Sequence, residues 1–179
     1  MNLRKYLYRI RGEVSTEELV RRGLIVGKNL KRLNQVVIDD SHPWLIEIGD
    51  NVTLAPRVHI LAHDASTKQF LGYTKIGNVK IGNEVFIGAE SVILPGVTIG
   101  NRVIVGANST VTHDIPDGVV VVGSPARVLC TIDEYLEKER EKMAHLPVYG
   151  EEYTLRGKIT MDMRKKQRDE IAQKGGYVV

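Results

Sequence analysis

The chain of 179 residues holds a single cysteine, Cys130, so no disulfide forms within it and a thiolate cluster around a metal is excluded. It also lacks a long apolar run. The opening MNLRKYLYRIRGE is broken by charge, which fits neither a signal peptide nor a membrane span. The expectation is a cytoplasmic protein without integral membrane contact. Net charge is only +3, and the hydrophobic (42%) and charged (26%) fractions are those of one soluble globular domain with appendages. That charge is unevenly spread: residues 1–35 carry nine Lys or Arg against three acids, whereas residues 36–130 carry six against nine. A basic arm of this kind suits an anionic lipid surface, nucleic acid or a nucleotide-linked substrate, or is simply a solvated helix face. Cys130 has no motif beside it that supplies a basic partner, and it reads as a packed thiol rather than a nucleophile.

What the chain does have is a strict six-residue period. Ile81, Ile87, Ile93, Ile99, Val105 and Val111 recur without a slip. Six is neither the 3.6 of a helix nor the 2 of a half-buried strand, so each repeat is a short strand plus a turn stacked on its neighbours. Gly82, Gly88, Gly100 and Gly106 follow the aliphatic residue, where the backbone must turn a tight corner. Four places after each aliphatic residue stands Val85, Ser91, Val97, Val103, Ser109 or Ile115, small or β-branched as a narrow strand-lined interior requires. If three hexads close one triangular coil, Ile81 stacks on Ile99, Ile87 on Val105 and Ile93 on Val111. The same phase appears upstream at Ile48, Leu54 and Ile60 and then breaks. Residues 61–80, including LAHDASTKQFLGYT, therefore hold a protrusion or a shortened hexad, and IGNVK from Ile76 reads as the latter. Loops that interrupt a rigid repeat are where function concentrates.

The flanks read as helical. Residues 2–11 are amphipathic, and Ser15 with Glu18 forms a capping box for a short helix ending near Gly23. Helices are expected from Ile132 to Ala144 and from Met161 to Gln173, the second ended by Gly175 and Gly176. Both are too polar to form a separate core and are expected to pack across coils or across subunits. The organisation is thus an N-terminal helical arm (1–24), a repeat domain (25–130) and a C-terminal helical extension (131–179).

The runs IGNEVFIGAESVILPGVTIGNRVIVGANSTVTHDIP and VVVGSPARV, preceded by IEIGDNVTLAPRVHILAHDAST, resemble the left-handed β-helix O-acetyltransferases of the galactoside, maltose and nodulation-factor type and their relatives in polysaccharide gene clusters. The resemblance covers about residues 25–128 and is carried by the ILPGVTIG and VTHDIPDGV blocks together. It implies an all-β core, a left-handed parallel β-helix of hexapeptide repeats. The hand comes from the resemblance alone, since parallel crossovers are otherwise right-handed. It further implies a homotrimer in which acetyl-CoA and a hydroxyl acceptor, a sugar or nucleotide sugar, bind between subunits. An imidazole then removes the hydroxyl proton as oxygen attacks the thioester, with no acyl-enzyme and no metal. Histidine suits this role because its reference pKa lies close to neutral, and backbone amides would stabilise the oxyanion. No nucleic-acid partner is implied.

Five histidines compete for the base: His42, His59, His63, His113 and His145. The resemblance favours His63, which opens the loop after VTLAPRVHIL, with Asp64 or a backbone carbonyl to fix its tautomer; a solvent-facing loop histidine is the plainer alternative. His42 in DDSHPWLIEIG is second, placed as in serine acetyltransferases, or else packed beside Trp44. Asp39, Asp40 and Asp64 are candidates for acceptor hydroxyls. For the cofactor the matching positions are Phe86, Ala89, Ala107, Thr112, His113 and Arg127, with Arg127 suited to a CoA phosphate. His113 stands where the family has lysine, and Cys130 where a second basic residue is common, which weakens the expected phosphate subsite. Alternatives are a serine-type or amino-sugar acetyltransferase, a γ-carbonic-anhydrase-like zinc lyase using His42, His59 and His63, and a non-catalytic trimeric scaffold. Against the lyase, His59 and His63 are four residues apart where its paired ligands are five.

Overall fold

The computed structural model describes residues 13–179, and the amphipathic segment expected over residues 2–11 lies outside them. The chain divides after Ile132 into two compact units.

In the first unit three parallel sheets are built from very short strands. One sheet holds β1 (Ile25–Val26), β4 (Ile46–Ile48), β9 (Val79–Ile81) and β12 (Thr98–Ile99). A second holds β2 (Lys31–Arg32), β5 (Thr53–Leu54), β10 (Phe86–Ile87), β13 (Ile104–Val105) and β15 (Val119–Val122), and ends on the antiparallel β16 (Arg127–Thr131). The third holds β3 (Val37–Ile38), β6 (His59–Ile60), β11 (Val92–Ile93) and β14 (Thr110–Val111). Successive strands visit the three sheets in turn, so the chain coils. Ile81 pairs with Ile99, Ile87 with Val105 and Ile93 with Val111, the stacking expected from the period. Ile48, Leu54 and Ile60 sit one coil earlier on the same columns. All nine of these side chains are buried, as are Val85, Ser91, Val97, Val103, Ser109 and Ile115 between them. The core is a stack of aliphatic triangles whose burial drives the coil closed.

A first coil precedes these, out of phase with the others. Val26 pairs with Ile48, Arg32 with Leu54 and Ile38 with Ile60, an offset of 22 residues where Ile81 and Ile99 are 18 apart. At the column position taken elsewhere by an aliphatic residue stands Arg32. Its guanidinium donates to the Val14 carbonyl (2.8 Å) and the Val36 carbonyl (2.6 Å) and so closes the end of the coil. The helix Thr16–Arg21, with Ser15 Oγ accepting from the Glu18 amide, sets the buried Leu19 into the same core.

Corners repeat as faithfully as strands. The third residue after the core aliphatic adopts a left-handed conformation at Asn51, Arg57, Glu84, Glu90, Arg102 and Asn108, with φ between 53 and 62°. Non-glycine residues there cost about 1 kcal/mol each, a cost offset by the ladders on either side. At one corner Asp50, Asn83, Asn101 and Asp117 form a side-chain ladder. Each Oδ1 accepts the N–H of the residue one coil earlier: Lys28 to Asp50 (2.6 Å), Asp50 to Asn83 (2.8 Å), Asn83 to Asn101 (2.9 Å) and Asn101 to Asp117 (2.7 Å). At another corner Gly88 is required by contact, since a Cβ there would lie 2.4 Å from the Ala107 nitrogen.

The interruption is a protrusion, and the expectation of a shortened hexad from Ile76 is corrected. Ile76 is exposed and belongs to a hairpin in which β7 (His63–Asp64) pairs antiparallel with β8 (Lys75–Ile76). Coil geometry resumes at Val79, so Lys80 lies on a coil strand and not in the loop. A short helix, Lys68–Leu71, closes the hairpin, and Asp64 fastens its base through an ion pair to Lys75 (2.6 Å).

The second unit contains the helices Ile132–Met143 and Met161–Glu170 and a parallel pair of β17 (Val148–Tyr149) with β18 (Tyr177–Val178). It makes a compact unit of its own with little apolar burial. Tyr149 and Ile159 are its buried hydrophobic residues, and Tyr149 and Tyr177 donate to Glu170 and Glu139, each at 2.8 Å. Polar tail helices thus find partners in tyrosine–carboxylate bonds. Burial and the neighbouring Glu170 push the Tyr149 hydroxyl up to about 12.

The Asn83 ladder yields a test. Asn83→Ala leaves the Asp50 N–H without its acceptor, at an expected cost of about 1 kcal/mol, a fall of ~2–4 °C in melting temperature for a chain of this size. Thermal denaturation reads it, and an unchanged melting temperature would mean water replaces the rung at no cost.

Candidate active site

The corner that follows β3, β6, β11 and β14 collects the titratable groups. Because Ile38 pairs with Ile60, Asp39 emerges beside Leu61 and Ala62, and its own N–H donates to the Ile60 carbonyl (2.9 Å). Asp39 is buried. Its Oδ1 accepts from the amides of Ser41 (3.0 Å) and His42 (3.2 Å), and its Oδ2 accepts from the Ala62 amide (2.9 Å) and meets His63 Nδ1 at 2.5 Å. Burial pushes this carboxyl up, but the His63 hydrogen bond and the three amides outweigh it and hold Asp39 below its ordinary value. An ionised carboxylate has no proton to give, so His63 Nδ1 is the donor in this contact.

Two expectations change here. Asp39 was a candidate for acceptor hydroxyls, yet both its oxygens are engaged with the chain, and its place is behind His63. Asp64 was a candidate for fixing the His63 tautomer, yet it is turned to Lys75 and the Ser66 amide, which hold its carboxyl down to about 2. Asp40 is exposed, and its carbonyl accepts from Arg22.

His42 joins the pair. Its ring centre lies 5.4 Å from that of His63 and 5.2 Å from that of Trp44, so it packs beside the tryptophan and faces the dyad at once. Its Nδ1 is buried with no hydrogen-bond partner. Pro43–Leu45 form a 3-10 turn that fixes this short insertion between the first and second coils. Asp39, His42 and His63 each bring a potential ligand atom within 4.8 Å of the other two, and His59 is not part of that group. His59 lies on β6 between Val37 and Val92.

The cofactor candidates are spread around the coil. Thr112 and His113 follow β14 at the same corner as His63, with Thr112 Oγ1 2.8 Å from His113 Nδ1. Ala89 and Ala107 precede β11 and β14, at the opposite ends of those strands. Phe86 is 44% exposed on the second sheet between Thr53 and Ile104. Arg127 begins β16 opposite Val122, is exposed, and donates to the Ala126 carbonyl (2.9 Å). Cys130 is half-buried on the same strand.

Comparison with known proteins places this geometry. A family model described as bacterial transferase hexapeptide (six repeats) matches residues 78–113. Protein CapG of Staphylococcus aureus is 43% identical over 141 residues, covering 74% of this chain and 80% of that protein. A hexapeptide-repeat acetyltransferase of Vibrio cholerae O1 biovar eltor, solved with acetyl-CoA, superposes with a TM-score of 0.56 at 33% identity, covering 62% of this chain and 61% of that one. A galactoside acetyltransferase solved with coenzyme A gives a TM-score of 0.57 at 34% identity, covering 70% and 60%. The chain spans about three fifths of the length of these two structures. With its coiled hexads, its matched repeats and this similarity to CapG, the chain belongs to the hexapeptide-repeat acetyltransferase family.

Proposed function

We propose that this chain moves the acetyl group of acetyl-CoA to a hydroxyl of a sugar or saccharide precursor, with His63 as general base and Asp39 as the residue that positions it. The observation that carries the reading is the Asp39–His63 contact, a buried ionised carboxylate on Nδ1 that leaves Nε2 ready for a proton. The acceptor hydroxyl gives its proton to Nε2 as its oxygen attacks the thioester carbonyl. The tetrahedral intermediate collapses, the carbon–sulfur bond breaks, and the imidazolium returns the proton to the CoA thiolate. Asp39 stabilises the transient imidazolium, and backbone amides stabilise the oxyanion. Acetyl-CoA and CoA in the solved relatives, and the galactoside named for one of them, support the donor and the acceptor class.

The finer assignments belong to the same proposal. The coil winds left-handed, residues 25–130 form the acyltransferase domain, and the protein acts in the cytoplasm as a homotrimer. Among the described residues no helix is long and apolar enough to cross a membrane. Phe86, Ala89, Ala107, Thr112, His113 and Arg127 line the cofactor path, and their spread around the coil suits a cofactor lying between neighbouring chains. The exposed hairpin tip at Phe70, Leu71 and Tyr73 gives that neighbour an apolar surface to cover. The zinc-lyase reading, whose ligands would come from neighbouring subunits, is disfavoured by the four-residue spacing of His59 and His63 and by the similarity to acetyltransferases solved with acetyl-CoA or CoA.

Three outcomes are expected. His63→Ala lowers turnover by about 100-fold or more while CoA affinity changes little, and His42→Ala is the milder lesion; the reverse order would move the base to His42. Asp39→Asn offers an amide N–H to Nδ1, drives the proton to Nε2 and lowers kcat by about 100-fold or more, with KM for acetyl-CoA preserved. A full-rate Asp39→Asn enzyme would remove the positioning role. Sedimentation equilibrium should give three times the 20.0 kDa chain mass, and a fully active monomer would sink the shared site.

A further inference from the structure

Trp44 is the only tryptophan in the chain and is 57% exposed, yet it is closely packed at its root. The preceding Pro43 is buried and begins the 3-10 turn. Behind it Gly23, at φ +106°, approaches so closely that a Cβ there would lie 2.8 Å from Trp44 Cβ and 3.2 Å from its Cα. Only glycine tolerates both that conformation and that contact. In front, the indole packs at 5.2 Å against His42, which packs in turn at 5.4 Å against His63. His42 is thus in ring contact both with the exposed indole and with the imidazole of His63.

We propose that Trp44 is the acceptor platform of this enzyme: the apolar face of a pyranose ring stacks on the indole, which directs a hydroxyl at the ring edge past His42 to Nε2 of His63. The inference rests on the saccharide reading above and specifies how that acceptor is held. A pyranose carries C–H bonds on its faces and hydroxyls around its rim, so a flat aromatic surface beside a base suits it on both counts. A side chain whose Cα and Cβ are already closely packed and whose ring contacts His42 has less conformational entropy to lose when the ligand arrives. Insertion of the HPW turn between the first and second coils places this surface at the corner that carries Asp39. Phe86, Ala89 and Ala107 lie on the second sheet or at the opposite strand ends, and Thr112 and His113, although at the same corner, follow β14, which is three strands from the β3 end where the HPW turn stands.

The single tryptophan makes the test direct. Methyl hexosides titrated into the protein without donor should give a saturable change in tryptophan emission, whereas CoA alone should give none. In steady-state assays with an acetylated saccharide, Trp44→Ala should raise the acceptor KM by at least about tenfold, equivalent to 1.4 kcal/mol, with the KM for acetyl-CoA nearly unchanged. Trp44→Phe should recover most of the loss. An acceptor KM indifferent to Trp44→Ala, in an enzyme that does acetylate saccharides, overturns the platform and leaves the proposed function standing. Emission that responds to CoA and not to saccharide assigns the indole to the cofactor and overturns it too. So does emission shielded from acrylamide in the assembled protein, because a neighbouring chain would then cover the ring. Failure to acetylate any saccharide, with no emission change, overturns both readings together.

Discussion

In-register parallel pairing between coils is the constraint from which the rest of the structure follows. Each parallel strand of the coil contributes only two to four residues, too few to hold a position alone. Position is instead set by the aliphatic columns, because a one-residue slip would turn Ile60, Ile93 and Val111 out of the core and their neighbours into it. Once Ile38 is locked on Ile60, Asp39 must emerge beside Ala62, and the dyad with His63 forms without further adjustment. A residue 24 positions away thereby becomes a hydrogen-bonding neighbour. Chemistry at this corner is a consequence of stacking.

The insertions act because the coil is rigid. A few extra residues between Ile38 and Ile48 place His42 and Trp44 beside the corner, and a longer insertion after Ile60 places His63 there and sends the hairpin outward. Both emerge at the same corner, and the side chains they carry meet. Gly77 seats the returning hairpin: its N–H donates to the Ala62 carbonyl (3.0 Å), and a Cβ there would lie 2.5 Å from the Gly96 nitrogen of the coil. His63 is thus held from both sides, by Asp39 on one coil and by the root of the hairpin on the next.

The sequence made the columns legible from Ile48 onward because the side-chain period equals the period of the fold, and attention came to His63 through a family resemblance. The first coil was hidden for a physical reason. Arg32 occupies its column position, where a guanidinium bonded to Val14 and Val36 carbonyls replaces aliphatic packing, and the 22-residue offset to the second coil masks the phase. With that coil unseen, Asp39 read as a candidate for acceptor hydroxyls. The available signal was Ile38 standing before Asp39 as Ile60 stands before Leu61. The hairpin was equally illegible, since His63–Asp64 and Lys75–Ile76 are too short to show alternation.

Carboxylates at the corners give the fold a common response to acid. Asp39 binds the amides that position His63, Asp64 fastens the hairpin, and Asp117 ends the side-chain ladder. All three are held below their ordinary value of 3.8: Asp39 by His63 and three amides against its burial, Asp64 chiefly by Lys75 to about 2, and Asp117 chiefly by the Asn101 amide. A folded-state value below the unfolded one means that the folded chain binds protons less readily. The contribution of each carboxylate is therefore complete above about pH 3.8 and disappears as pH falls through its lowered value. The aliphatic columns carry no titratable group and are indifferent to this change. Acid therefore acts first on the corners, where the side-chain ladder, the root of the hairpin and the Asp39–His63 contact all depend on an ionised aspartate, while the stacked core keeps its reason to stay closed.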